Sequence, residues 1–434
     1  NIKSINKQIQ EAESAFRLAS AGVENFEKSV SGTQSRLSSL QQKIVLQQKA
    51  VKQYEKALEA ANKKLENAYA RQGKLTDDNK YIWFQGRQTY TYALLYNHIE
   101  KRRDWLDKAR HGFRFLADKA YAGGGRWNYK LDRQGHVLVG TTSVFADMHV
   151  LQALGEYNTA LGGQDAEAMA IMRATYDTLE RNFADRYFKD IYENTWQENH
   201  IWHDMYMTAL SAIMTCIPVL GEEYTRPFID ECLDKICNWF ARDDYRAIFE
   251  TVSWDNQLFL EEPADRFTNP GHSSEAVWFI LEYARSSGRE NLLHRAVEFE
   301  DWVYERGYDK VYGGLNSYLD VNGTEPVAVD WFLATNSLWD DKVWWANAEQ
   351  LCALAMTYEA GKNELYWERF LRHHQYCRSN FFDPEYGEWF ERLNADGSVK
   401  VDAKGTEWKC AFHLVRALVY TLEALRRMEA AQDE

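Results

Sequence analysis

The chain lacks the signatures that mark most metal and cofactor chemistry. It has no HExxH and no P-loop, and the run Gly123 to Gly125 leads into Arg126 and Trp127 rather than into a GxGxxG helix start. Zinc, nucleotide-phosphate and dinucleotide readings lose support, so neither a metal nor a redox cofactor is expected. Cysteine is scarce, with six in 434 residues (216, 232, 237, 352, 377 and 410) and no CxxC pair. Such thiols read as buried groups of a reducing compartment, which makes cytoplasm the expected location. No stretch approaches the roughly 20 consecutive apolar residues of a membrane helix, and no apolar signal core opens the chain, so no membrane partner is expected. The first residue is Asn1 rather than Met, which reads as a trimmed product or a fragment.

An excess of basic charge is also missing. The formal net charge is -14, and it is unevenly spread: residues 1–72 hold 12 Lys/Arg and 7 Asp/Glu, a net +5, so the remainder carries -19. An acidic body argues against nucleic acid as a partner, because phosphate binding rests on clustered Lys and Arg.

Composition divides the chain in two. All 16 Trp, 11 His, 6 Cys and 6 Pro lie beyond residue 80. In the N-terminal part an apolar thread runs through Leu37, Leu40, Ile44, Val51, Tyr54, Leu58, Ala61 and Leu65 at coiled-coil or helical-hairpin spacing, with a break at Gly32. Residues 1–72 thus read as a helical arm, either a solvated face or an oligomerisation element consistent with a homodimer. The arm also loosely resembles helical segments of phage tail tape-measure proteins.

Residues 73–434 are dense in aromatic residues and carry amphipathic helical patterns at 89–97, 104–120, 143–160, 205–220, 273–285, 347–360 and 411–430. Three short segments resemble one another: GRWNYKLDRQG from Gly125, GLNSYLDVNG from Gly314 and GEWFERLNADG from Gly387, each closing on a polar turn that ends in Gly. Helix pairs and hairpins recurring over some 350 residues predict an all-α fold, an (α/α) toroid with short β-hairpins gathered at one mouth, although periodicity alone does not separate a closed ring from an open solenoid.

Four stretches hold polar residues among aromatics. In 269–275, Pro270 and Gly271 place His272 at a helix entrance, with Ser273 as candidate cap; Glu275 either orients the imidazole or merely closes a capping box. In 404–416, Lys409, His413 and Arg416 are spaced four and three apart and so share a helix face. Cations there would keep His413 neutral, as a base must be, against the alternative of a structural histidine. In 342–349, Trp345 and Glu349 offer an aromatic platform beside a carboxylate, which suits a sugar. In 83–87, Arg87 follows an aromatic pair and could clamp an oxygen. For these last two the alternative is aromatic core with rim ion pairs.

At these residues the chain resembles the N-acylglucosamine 2-epimerase (renin-binding protein) family, which shares WxQxR, NPGHxxE, KxWWxxxE and KGxxWKxxFHxxR stretches. All four occur in order over residues 73–428. The resemblance implies an (α/α)6 barrel and metal-free, redox-free interconversion of N-acetylglucosamine and N-acetylmannosamine, with ATP an effector of some members. It also implies His272 and His413 as the catalytic pair and Arg87, Glu275, Glu349 and Arg416 as substrate-site residues. Two departures stand out. The arm occupies the place of the family's first helix, and Tyr206 falls where cellobiose-acting relatives carry a reactive histidine. Competing readings are an aldose–ketose isomerase on the same scaffold, a toroid glycoside hydrolase using acids such as Glu250, Asp255, Glu275 and Glu349, and a non-catalytic assembly protein.

Overall fold

Two kinds of helix alternate along the chain, and the difference between them is one of burial. The computed structural model describes residues 77–185, 199–327, 338–406 and 408–431. Its helices are α1 (Ile82–His98), α2 (Arg103–Phe115), α3 (Val144–Ala160), α4 (Ala166–Ala184), α5 (His203–Met214), α6 (Glu222–Asp234), α7 (Pro270–Ser287), α8 (Glu290–Gly307), α9 (Trp344–Gly361), α10 (Glu364–Asn380) and α11 (Phe412–Ala430). Even-numbered helices are amphipathic. On α2 only Trp105, Ala109 and Phe113 are buried, one stripe at spacing four, while Arg and Asp cover the rest. Odd-numbered helices are buried on nearly every side, as on α3, where each residue from Ala146 to Asn158 is covered.

That difference places them. The six odd helices pack in succession, α1 on α3, α3 on α5 and so on, and α11 returns to α1, so the inner ring closes. The seam is made by Tyr90 against Phe412, ring centroids 5.3 Å apart, and by His98 against Glu423 at 2.8 Å. Each even helix covers the inner helix that precedes it. This is an (α/α)6 toroid, as expected. The arm at 1–72 and the question of a first barrel helix fall outside the described residues. Among the described residues no helix is long and apolar enough to cross a membrane.

The three look-alike segments share one turn. Asp132, Asp320 and Asn394 each donate their backbone N–H to the carbonyl four residues on (His136, Thr324, Ser398), and each accepts from the glycine three residues on. Those glycines, Gly135, Gly323 and Gly397, have φ of 89°, 81° and 84°, which explains the residue type. They are not three independent hairpins: Lys130–Leu131 pairs with Lys80–Tyr81, Leu319–Asp320 with Phe267–Thr268 and Arg392–Leu393 with Lys342–Val343, each a strand from an earlier part of the chain. These pairings sit just before α1, α7 and α9, and His200–Trp202 with Thr251–Ser253 sits likewise before α5, so the strands deliver the N-termini of the inner helices to the same mouth.

Candidate active site

A cavity of about 720 Å³ opens at that mouth, lined by Trp83, Arg87, His149, Asp204, His272, Glu275, Trp345, His413 and Arg416 among others. All six inner helices contribute from their first turns, so their free N–H groups and dipoles face the space and favour negative charge there.

His272 is set by its cap. Asn269 Oδ1 accepts from the N–H groups of Gly271 (3.0 Å) and His272 (3.2 Å), so Asn269 and not Ser273 starts α7, and His272 falls on the first turn. Gly271 has a packing reason: a Cβ would lie 2.6 Å from the ring of Trp345. Through that gap Trp345 reaches between the two histidines, its ring centroid 5.2 Å from that of His272 and 5.4 Å from that of His413.

Each imidazole is held at Nδ1 by a carboxylate. His272 Nδ1 lies 2.8 Å from Glu250 Oε2, and His413 Nδ1 lies 2.8 Å from Glu349 Oε1. Their surroundings then diverge. Burial works against a charged His272, but the charge and hydrogen bond of Glu250, with Asp204 and Glu275, outweigh it and raise its pKa to about 9. Glu250 itself is pulled down to about 2, because His272 and His203 overcome its burial. His413 goes the other way: burial first, then Arg87, Arg416 and His272 hold it well below the usual histidine range, with Glu275 opposing. At neutral pH one imidazole is protonated and the other is neutral. With Nδ1–H donated to Glu349, the neutral ring has Nε2 as its basic atom.

Behind them Arg416 ties the site together. Its guanidinium donates to Glu275 and, at 2.6 Å, to Glu349 Oε1, while Glu349 Oε2 accepts from Trp278 Nε1 at 2.9 Å. The carboxylate of Glu275 thus answers Arg416 rather than the helix start, which disposes of the capping box. Arg87 is stacked on Trp83 (4.9 Å) and Phe412 (4.7 Å) and donates from Nε to His149 Nε2 at 3.2 Å. His149, kept neutral by burial and by Arg87, passes the chain to Gln152 at 3.4 Å, and Gln152 donates to Ser211 at 2.8 Å.

The expected residues Arg87, His272, Glu275, Trp345, His413 and Arg416 therefore meet in one cavity. Two others are placed differently. Glu349 stands behind His413 as a positioning residue and does not line the cavity. Lys409 is a correction: α11 begins at Phe412, so no helical face links Lys409 to His413, and its ammonium is spent on Glu388, on Trp389 O (2.6 Å) and on Ala403 O (3.3 Å). The cations near His413 are Arg87 and Arg416 instead. Glu250, His149, Gln152 and Asp204 were not singled out for this role by their sequence context. Phe145, His149 and Gln152 do share helical spacing, but α3 is buried all round, and no polar stripe shows.

A closed helical toroid whose mouth pairs a protonated with a neutral imidazole, among aromatic rings and arginines, defines a sugar isomerase or epimerase of the proton-transfer type. The family model for N-acylglucosamine 2-epimerase (GlcNAc 2-epimerase) matches residues 65–417, and the chain belongs to that family. It is 30% identical to the N-acylglucosamine 2-epimerase of Mus musculus over 83% of this chain and 86% of the mouse protein. It is 28% identical to that of Homo sapiens, with 82% of each covered. A crystal structure of D-mannose isomerase shares the fold, with a TM-score of 0.72 at 20% identity over 85% of this chain and 97% of that one.

Proposed function

We propose that the protein is a 2-epimerase interconverting N-acetylglucosamine and N-acetylmannosamine, with His413 and His272 as the acid–base pair. The observation that carries this is a pair of imidazoles flanking one indole in one cavity, each held at Nδ1 by a carboxylate at 2.8 Å, and the opposite directions of their pKa shifts support it. The open-chain aldose places its C2–H before His413 Nε2, which takes the proton while negative charge moves onto the C1 oxygen of a C1–C2 enolate that keeps the acetamido nitrogen at C2. Arg87 and Arg416, together with the helix N-termini, stabilise that oxygen. Protonated His272 returns a proton to the opposite face of C2, inverting it, and solvent exchange resets both rings. Glu349 and Glu250 hold the two rings by Nδ1 and stay ionised or shared throughout. No group in this scheme requires a metal or redox cofactor. The finer expectations of ATP as an effector, a homodimer and a cytoplasmic location rest on the family resemblance and composition.

The test is incubation with N-acetylmannosamine in deuterated water, followed by NMR. N-acetylglucosamine should appear with deuterium at C2. In a parallel incubation with mannose, a ketose as the only product, with N-acetylmannosamine untouched, assigns the isomerase instead, and no reaction with either N-acetyl sugar removes the acyl-sugar assignment.

A further inference from the structure

One histidine beside the site has no use in this scheme. His203, the first residue of α5, is fully buried, and neither of its ring nitrogens has a hydrogen-bond partner. An imidazole sealed in this way has lost its water without a replacement unless something binds it. Its position is not accidental. His200–Trp202 pairs with Thr251–Ser253, and His203 N–H donates to Glu250 O at 2.9 Å, so the ladder fixes His203 opposite Glu250.

We infer that His203, Glu250 and His272 form a site for a divalent transition-metal ion, and that filling it withdraws His272 from proton transfer. One donor atom from each of the three side chains lies within 4.8 Å of the others. His203 Nδ1 is 3.6 Å from Glu250 Oε1, too far for a hydrogen bond. Two ligands on one tetrahedral zinc-type ion stand about 3.3 Å apart, given metal–ligand distances near 2.0 Å. The His272–Glu250 contact, now 2.8 Å, has to open by about 0.5 Å, and the imidazole proton leaves as the ion enters. Two imidazoles and a carboxylate suit Zn²⁺, Co²⁺ or Ni²⁺ better than Mg²⁺ or Ca²⁺. Glu250 and the adjacent Asp204 make the surroundings anionic, and His272, about a quarter exposed, opens the fourth position to the cavity. A second trio, the two carboxylates Glu275 and Glu349 with His413, carries no such inference, because Arg416 already pairs with both of its carboxylates. The three ligands come from three separate elements, so no ligand spacing shows in the chain.

Binding of the ion is independent of the functional reading, and only the inhibition rests on it. The full chain, stripped with a chelator, is titrated with Zn²⁺ against a chromophoric competitor and with Co²⁺ followed by visible absorption. One ion per chain is expected, with tetrahedral Co²⁺ bands. His203→Gln should weaken binding about tenfold or more, and His413→Asn should leave it unchanged. Absence of a stoichiometric ion, affinity indifferent to His203→Gln, or loss in His413→Asn overturns the site. If His203→Gln does not fold, the wild-type stoichiometry and Co²⁺ spectrum decide, and octahedral bands overturn the site. Epimerase activity should fall with Zn²⁺ occupancy and return with EDTA. A bound ion that leaves activity unchanged keeps the site and overturns the role of His272.

Discussion

The two ends of the toroid's lumen use the same parts and put them to different ends. At the mouth, His413 has Glu349 at 2.8 Å and Glu275 at 3.8 Å from the same nitrogen, Nδ1, but Arg416 already pairs with both carboxylates and Arg87 stands near, so the ring stays neutral with its other nitrogen available. At the far end, where a smaller cavity of about 380 Å³ lies, His98 closes α1. Its Nδ1 is 2.8 Å from Glu423 of α11 and its Nε2 is 3.7 Å from Glu156 of α3. Burial opposes the charge, but the two carboxylates win and raise its pKa to about 10. The C-terminus of α1 favours the same cation. A histidine with a carboxylate at each nitrogen is a clamp across three helices, whereas a histidine whose carboxylates share one nitrogen and are neutralised by an arginine is a base.

The largest effect that could break this comparison is loss of His413. His413→Ala should lower kcat/KM for N-acetylmannosamine by about 10²- to 10⁴-fold with the fold intact by circular dichroism, while His98→Ala should leave it within a few-fold. If the two variants lose activity alike, the division into reagent and clamp is wrong. A carboxylate-driven hydrolase would also survive the first substitution.

Next in size is Glu250→Gln, which removes the main charge holding the proton on His272. In the wild type the required protonated form persists up to about pH 9, so the rate should fall on the alkaline side there, and on the acid side only well below pH 6.5. In the variant the alkaline limb should move toward the ordinary histidine value of about 6.5, costing about 30-fold at pH 8 and much less at pH 6. A pH-independent loss would make Glu250 merely structural.

Gly271→Ala comes third. The new Cβ meets the ring of Trp345, and the crowding should cost about 1–3 kcal/mol in chemical denaturation while pushing the indole out from between the histidines. A variant with unchanged stability and KM would show that Trp345 moves freely.

How much of this was readable from residues alone follows from the physics of each feature. The helix pairs and glycine turns were legible because spacing and φ preference are local properties. His272 at a helix entrance, and His413 with Arg416, were legible because those relations lie within a turn of helix, whereas the cap fell on Asn269 rather than Ser273 and the carboxylate that orients His272 is Glu250 rather than Glu275. Lys409 misled because the turn before Phe412 breaks the helical count that placed it beside His413. Glu250 and His203 stayed hidden because a strand pairing across about 50 residues brings them together, and such a register leaves no local trace. The protonation states were half legible: cations near His413 could be foreseen, but the dominant cause, burial, needed the closed ring.

The smallest effect on turnover, and the sharpest on the far end, concerns His98. Its folded pKa of about 10 stands above the ordinary value of 6.5, so the clamp contributes stability that is complete below about pH 6.5 and is lost as pH rises through 10. Because His98 and Glu423 are each about a quarter exposed, solvent screens the pair, and a contribution on the order of 1 kcal/mol is expected. Urea unfolding of wild type and His98→Ala should therefore differ most at pH 6, less at pH 9, and converge above about pH 10. If the difference is the same at every pH, the ring packing against Tyr420 (5.7 Å), and not the charge, carries the contribution of His98. The comparison then survives only at the mouth, where the free nitrogen of His413 rather than its charge is what counts.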